Sequence, residues 1–223
     1  MLFSKVIWFL KEIFFPRRCI FCGEVIEEEK DILVCENCEK SVPLEEGRRS
    51  FDVYGENVNY LLSPFEYKDR VRDAVIAFKF YSKDYYAESL AFFMNETLRE
   101  VYEFENFDYI IPVPMGEKKL KKRGYNQAEL LADKLKFSDA KLNCDALIRI
   151  KEADKAQSLK SAVERAESIK GCFTCIEDMS EKSILLVDDV CTTGVTLNEC
   201  AKELKKAGAK RIVGITLAKR NIK

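Results

Sequence analysis

Two adjacent carboxylates, Asp188 and Asp189, are followed by a loop that carries Thr192, Thr193, Gly194, Val195 and Thr196. Neighbouring carboxylates repel one another, and burial raises a pKa of the pair unless donors or a cation stand near. Sugar hydroxyls are suitable donors, and Mg²⁺, direct or through water, is a suitable cation. A threonine loop that opens a helix offers hydroxyls and backbone N–H groups to a phosphate, and Gly194 lets the anion approach closely. A ligand with vicinal hydroxyls at one end and a phosphate a few bonds away fits both halves: a ribose 5-phosphate.

Two other groups of residues carry chemistry. Cys19 and Cys22 form one C-x₂-C pair, and Cys35 and Cys38 a second, separated by twelve residues. Four thiolates at this spacing converge tetrahedrally on Zn²⁺ and fill its shell, which makes the expected site structural rather than catalytic. Gly23 suits the tight turn that such a knuckle requires. The segment 16–45 is too small to bury a core, so the metal is expected to supply its folding energy, and metal loss to leave the downstream core folded. The other group is basic: Lys118, Lys119, Lys121, Lys122 and Arg123 fall within the seven positions Glu117–Arg123. Three readings stay open for it: a diphosphate site, a single-stranded nucleic-acid patch with Tyr125 as a stacking platform, and a solvated face.

These groups need elements to hold them. Ile184–Val187 is apolar without alternation, as in a strand buried on both faces, and it is expected to run out of the sheet at Asp188. A helical pattern through Leu197, Ala201 and Leu204 follows, with Gly208 as its stop, and then a second apolar run, Arg211–Leu217. The unit reads strand–loop–helix–strand, which places the aspartates and threonines at the carboxyl edge of a parallel sheet, where open α/β folds bind ligands. Further helices are predicted over 67–80, 83–103 and 127–136, and strands over 108–114 and 147–150. Residues 41–65 read as a linker or irregular edge hairpin, and 157–169 as helical or mobile. Residues 1–15 have helical apolar spacing, suited to docking on the same protein, on a partner or on a membrane surface.

Composition narrows the classes. The formal net charge of −1 gives no global drive toward nucleic acid. There is no histidine, which excludes histidine bases, Ser-His triads and histidine ligands. Nine cysteines suit reduced thiols and a metal site in the cytoplasm better than a disulfide scaffold. The apolar run Val6–Leu10 is too short for a signal core or a membrane span. Cys172 and Cys175 form a third C-x₂-C, but on a strand they would point to opposite faces and could not share a metal. Cys191, inside the threonine loop, is either a thiol whose pKa the helix terminus lowers or a small tolerated residue.

VDDVCTTGVT closely resembles the motif with which type I phosphoribosyltransferases bind 5-phosphoribosyl-1-diphosphate, PRPP. With the four cysteines, YKDRVRDAVIAFKF, IPVP, KRGYNQAELLA and AQSLKSAVERAESIKGCF, the chain resembles the ComF (competence protein F) family from about Phe15 to Lys219. The resemblance implies an α/β fold of type I phosphoribosyltransferase-like, mainly parallel sheet flanked by helices, preceded by a small four-cysteine zinc-binding segment. The domains expected are an amphipathic helix over 1–15, the zinc segment over 16–45 and the phosphoribosyltransferase-like domain over 46–223. It implies that Asp188 and Asp189 hold the ribose hydroxyls as the catalytic pair, and that Thr192, Thr193, Gly194, Val195 and Thr196 cradle the 5-phosphate. Arg123, Gly124, Asn126 and Gln127, with Lys121 and Lys122 beside them, are expected near the diphosphate or a nucleic acid, and Gln157 and Arg165 in a mobile loop. Ser168 stands where the family usually has asparagine. Expected cofactors are structural Zn²⁺ and Mg²⁺ with PRPP. The expected activity is pentosyl transfer from PRPP, linked in some bacteria to uptake of single-stranded DNA. The alternative is a non-catalytic accessory module of an uptake assembly that senses PRPP or a nucleotide, or binds single-stranded DNA.

Overall fold

The structure is a computed structural model that describes residues 16–26, 30–42, 49–50, 56–101, 106–136, 139–151 and 167–220. The helix expected over 1–15, and the expected loop residues Gln157 and Arg165, lie outside the described residues.

Strand β8 (Ser183–Cys191) is the centre of a seven-stranded sheet. It pairs in parallel with β9 (Arg211–Lys219) over its whole length, from Ser183↔Arg211 to Cys191↔Lys219. Its other neighbour is β4 (Tyr109–Pro112), beyond which lies β5 (Lys141–Leu142). On the far side of β9 stand β2 (Tyr60–Leu62) and β3 (Phe65–Glu66), both parallel to it, with β1 (Arg49–Ser50) antiparallel at the edge. The expected linker over 41–65 therefore supplies sheet strands as well as an edge hairpin. Its strands span only two or three residues, too few to show a period-2 pattern.

The apolar run in β8 is buried on both faces, and alternation sorts it into two cores. Leu185 and Val187 pack with Val213 and Ile215 in the core that also holds Phe78 of α2 (Asp69–Phe80) and Leu90 and Met94 of α3 (Tyr86–Val101). Ile184 and Leu186 face the other core, with Leu197, Cys200 and Leu204 of α6 (Val195–Lys206). Helix α6 stops at Gly208, whose φ of +95° is left-handed. A Cβ there would also lie 2.9 Å from the Ser180 Cα, so only glycine fits this turn. The basic stretch is a short helix, α4 (Glu117–Arg123), and α5 (Gln127–Asp133) follows it. The strand predicted over 147–150 forms as β6 (Leu147–Arg149), but it pairs antiparallel with β7 (Phe173–Cys175) in a separate two-stranded sheet.

The cysteine segment folds as two knuckles. Gly23, at φ +77°, lets its N–H reach the Cys19 carbonyl at 2.9 Å. Cys35 caps α1 (Glu36–Ser41), its sulfur accepting from the Cys38 N–H at 3.5 Å. The four Sγ atoms lie within 4.8 Å of one another, Cys22 and Cys35 at 3.6 Å. A tetrahedral Zn–S₄ centre with bonds of about 2.3 Å needs sulfurs about 3.8 Å apart, so the donor set fits zinc. Without a cation, burial, then the Cys22 and Cys35 thiols, push the Cys38 thiol far above its usual range.

The lobe does not stand apart. Phe21 meets Phe65 and Phe93 edge-on at centroid distances of 5.8 and 6.1 Å. The Leu33 N–H donates to Ser89 of α3 at 2.8 Å, and Arg70 of α2 donates to the Cys38 sulfur at 3.4 Å. Ile20, Phe21, Ile32 and Val34 belong to the same core as α2 and α3. The lobe and the downstream core thus share packing, so a core that stays folded without the metal is expected to be less stable. Cys22→Ser is expected to lose zinc and to lower the unfolding midpoint of the whole chain by about 5–10 °C, because burial of Phe21 alone contributes about 2–3 kcal/mol. Elemental analysis and calorimetry check it; a metal-free variant with an unchanged main transition would contradict the shared core.

Candidate functional site

Pro112 and Pro114 each remove an N–H donor from the β4 edge, and the strand ends at Pro112. The last backbone bond toward β8 runs from the Val113 N–H to the Val187 carbonyl at 2.8 Å. Beyond it, the end of β8 is paired with β9 alone: Asp188↔Thr216, Val190↔Ala218 and Cys191↔Lys219. Contrary to the expectation that the strand ends before Asp188, both aspartates are strand residues, because β9 is long enough to continue the ladder. The cleft opened on the vacated side measures about 420 Å³ and is lined by Asp188, Asp189, Thr192, Thr196, Lys119 and Arg123, among others.

Strand alternation separates the two carboxylates. Asp189 shares its face with Leu185 and Val187 and meets Lys79 of α2, Nζ to Oδ1 at 2.8 Å, with both side chains mostly buried. Asp188 accepts the Asp189 N–H at 2.8 Å. Burial, then the charge of Asp189, push the Asp188 carboxyl up to about 7. The pair is thus divided: Asp189 has an ion-pair partner in Lys79, whereas burial disfavours the charge of Asp188.

Past Cys191 the chain turns at Gly194, φ +72°, and enters α6 at Val195. Asp188, Thr192, Thr193, Gly194, Val195 and Thr196 line a small cradle at this terminus. Its N–H groups and the positive end of a twelve-residue helix favour an anion. Cys191 is not an activated thiol: burial, then Asp188, push it up to about 11.

Across the cleft, α4 presents Lys119 and Arg123, one turn apart, while Lys121 and Lys122 are exposed and do not line it. Lys121 lies 3.9 Å from Glu117. Arg123 is held from two sides: it donates to Gln127 Oε1 at 2.8 Å, and its guanidinium sits 4.8 Å from the Phe80 ring centroid. Gly124, at φ +86°, ends α4, and Asn126 caps α5 by accepting the Ala128 N–H at 3.1 Å. Asn126 also donates to the Val113 carbonyl at 3.1 Å, tying the turn to the strand end. Gln127 is fully buried, so it serves Arg123 rather than the cleft surface. The Tyr125 hydroxyl donates to the Phe78 carbonyl, and its ring lies against Phe78 at 5.9 Å.

Sequence reasoning did not single out Lys79, Tyr67 or Arg149, which also line the cleft. The signal for Lys79 is weak: a charged residue between two phenylalanines at the end of an amphipathic helix. Ser168 lines the cleft as well. Cys172 and Cys175 use their thiols separately, toward the Ser168 and Glu177 carbonyls.

Residues 92–223, more than half of the chain, match the phosphoribosyl transferase domain family. The chain belongs to that family. Residues 10–50 match the double zinc ribbon domain, in accord with the four-sulfur cluster. Among relatives of this phosphoribosyl transferase domain protein is competence protein F of Haemophilus influenzae, 28% identical over 199 residues, which cover 87% of this chain and 81% of that protein. Competence protein ComFC of Bacillus subtilis is 30% identical over 161 residues, 70% of this chain and 62% of that one. DNA utilization protein YhgH of Escherichia coli is 32% identical over 106 residues, 47% and 46% of the two chains. The ComF resemblance of the sequence motifs is borne out. Among the described residues no helix is long and apolar enough to cross a membrane.

The raised Asp188 pKa sets a pH dependence. A carboxyl whose pKa is higher in the folded than in the unfolded chain contributes stability below the unfolded value, and that contribution is lost as pH rises through the folded value. Asp188 goes from 3.8 to about 7, so the loss runs from about pH 4 to pH 7. Asp188→Asn escapes it. The variant is expected to gain stability on the unliganded wild type across this window, by about 2–4 kcal/mol at pH 8 relative to pH 4. Asp189→Asn removes only the second cause, the neighbouring charge, and leaves Lys79 unpaired, so it is expected to flatten the pH profile less than Asp188→Asn does. Denaturant melts at the two pH values check both; equal pH profiles for wild type and Asp188→Asn would contradict the assignment.

Proposed function

We propose that the protein binds PRPP with Mg²⁺ in the cleft at the end of β8 and transfers its phosphoribosyl group to an acceptor. The observation that carries this is the meeting, in one cleft, of a carboxylate pair, a helix-terminus cradle and two cations on the opposite wall. Asp188 and Asp189 accept the ribose hydroxyls. Thr192, Thr193, Gly194, Val195 and Thr196 hold the 5-phosphate. Lys119 and Arg123 face the diphosphate, with Gln127 fixing the guanidinium; Lys121 and Lys122 add charge at longer range. The domain division follows: a zinc lobe over 16–45 and a transferase domain over 46–223, in a cytoplasmic protein whose thiols stay reduced.

In the reaction, an acceptor nitrogen attacks the anomeric carbon, the carbon–oxygen bond to diphosphate breaks, and the diphosphate leaves with the electron pair. Positive charge develops on the ribose in the transition state, close to the carboxylates, and negative charge grows on the leaving group, close to Lys119 and Arg123. Mg²⁺, when bound with the ligand, neutralises charge on the diphosphate. With no histidine in the chain, the acceptor's proton passes to a carboxylate or to water.

Lys119→Ala with Arg123→Ala is expected to weaken PRPP by about tenfold to a hundredfold and ribose 5-phosphate much less, since each charged hydrogen bond is worth about 1.5–3 kcal/mol. Lys121→Ala with Lys122→Ala should change either ligand less than about threefold, as for exposed charges. Calorimetric titration with both ligands, followed by diphosphate release with candidate bases, tests the proposal. Equal losses for the two double variants would remove the geometry that supports it.

A second reading is favoured by a separate observation. Beside the zinc lobe, Arg17, Arg18, Lys83, Tyr85 and Tyr86 line a recess of about 530 Å³. The exposed Tyr85 ring, backed by the half-buried Tyr86 and set among cations, forms a platform for single-stranded nucleic acid. We propose that this face handles single-stranded DNA, in keeping with the names of the competence and DNA utilization relatives, while the cleft serves PRPP. Arg18→Gln with Tyr85→Ala should weaken an oligo-dT probe by about tenfold, reduce its salt slope by about one, and leave PRPP affinity unchanged. Unaltered oligo-dT binding, or a parallel loss of PRPP, would count against two separate sites.

A further inference from the structure

The acidic pair carries its own cation. Lys79 reaches Asp189 at 2.8 Å with 18% and 12% of the two side chains exposed, which makes this a largely desolvated ion pair inside the cleft. The lysine is held in place from several directions. Its neighbour Phe78 is fully buried, and the Phe78 carbonyl accepts from the Tyr125 hydroxyl. Its other neighbour, Phe80, lies under the Arg123 guanidinium. The end of α2 is therefore clamped by the same Arg123–Tyr125 turn that lines the far wall, and Lys79 spans from this clamp to β8. An ammonium has three donors and a carboxylate about four acceptor positions, so one Nζ–Oδ1 contact leaves most of Asp189 open to a ligand.

We infer that Lys79 is the resident counter-cation of Asp189, a positioning residue that lets a vicinal diol enter a carboxylate pair of one net negative charge without a divalent metal at Asp189. This rests on the reading that the cleft binds a ribose phosphate. Two carboxylates without Lys79 would need an external cation before both could accept hydroxyls in their ionised form. With Lys79 in place, the ribose end of the ligand is recognised by side chains alone, and the need for metal falls on the diphosphate end.

The test uses the full chain and three probes: ribose 5-phosphate, inorganic diphosphate and PRPP, each titrated with Mg²⁺ and with chelator. For the wild type, ribose 5-phosphate affinity is expected to differ less than about threefold between the two conditions. Lys79→Met should weaken ribose 5-phosphate by about tenfold in chelator, with part of the loss recovered in Mg²⁺, as expected for one charged contact. Lys79→Arg should stay within about threefold of wild type, and diphosphate affinity should not move in either variant. Because Lys79→Met leaves a charge unpaired, its thermal midpoint is compared with that of Lys79→Met with Asp189→Asn, which should recover stability. Should Lys79→Met not fold, the wild-type comparison with and without Mg²⁺ and the Lys79→Arg titrations still decide. Wild-type binding of ribose 5-phosphate that demands Mg²⁺, an equal loss of diphosphate and ribose 5-phosphate in Lys79→Met, or wild-type affinities in that variant would each overturn the role of Lys79 alone. A wild type that binds neither ribose 5-phosphate nor PRPP under any condition would overturn the phosphoribosyl reading, and the role of Lys79 with it.

Discussion

The parallel ladder between β8 and β9 reaches four residues further than the one between β8 and β4, and the site depends on that mismatch. Pairing with β9 keeps Asp188 and Asp189 in extended backbone, so alternation sends one carboxylate to each face of the sheet. The early end of β4, with its two prolines, clears the space into which both can act. Had β4 continued, its backbone and side chains would fill the cleft; had β9 stopped short, the aspartates would hang on a mobile loop. The turn at Gly194 and the start of α6 then follow within a few residues, which keeps cradle and carboxylates at a fixed separation.

The two carboxylates have different electrostatic lives because the two faces of the sheet are covered by different helices. Asp189 lies against α2 and meets Lys79. Asp188 faces the other side, where burial and the charge of Asp189 outweigh the more distant cations Lys79 and Lys119. An unliganded cleft of this kind stores unfavourable free energy at Asp188, and a ligand that brings hydroxyl donors or a cation relieves it. Binding strength and unliganded stability are thereby set against one another at a single residue.

The zinc lobe takes part in the same economy of packing. Its aromatic residue Phe21 is enclosed by Phe65 from the sheet and Phe93 from α3. Through α2, which contributes Arg70 to the lobe and Lys79 to the cleft, the metal-binding end and the candidate active site share one rigid element. A thiolate cluster on the surface of a small independent ribbon would leave the cleft untouched; here it anchors the helix that supplies the cleft with a cation.

Much of this was legible in residue types and spacing. The paired C-x₂-C motifs dictate four converging sulfurs, because knuckle geometry is local. The apolar run before two aspartates and a Thr-Thr-Gly-Val-Thr loop dictates a buried strand leading into a helix-terminus anion site, for the same reason: each step spans only a few residues. The stop at Gly208 was likewise readable, since a left-handed turn is a property of one position. Tertiary structure alone decided the rest. That β8 continues through the aspartates depends on the length of β9, more than twenty residues away in the chain. That Lys119 and Arg123 enter the cleft while Lys121 and Lys122 do not depends on the orientation of α4, which seven residues without a buried face cannot declare. That Lys79 meets Asp189 is a contact between positions 110 residues apart, invisible to any pattern within a segment. Sequence alone determined the chemistry available at each place; which groups share a place was settled by long-range packing, because distance in space between remote residues is not encoded in any local period.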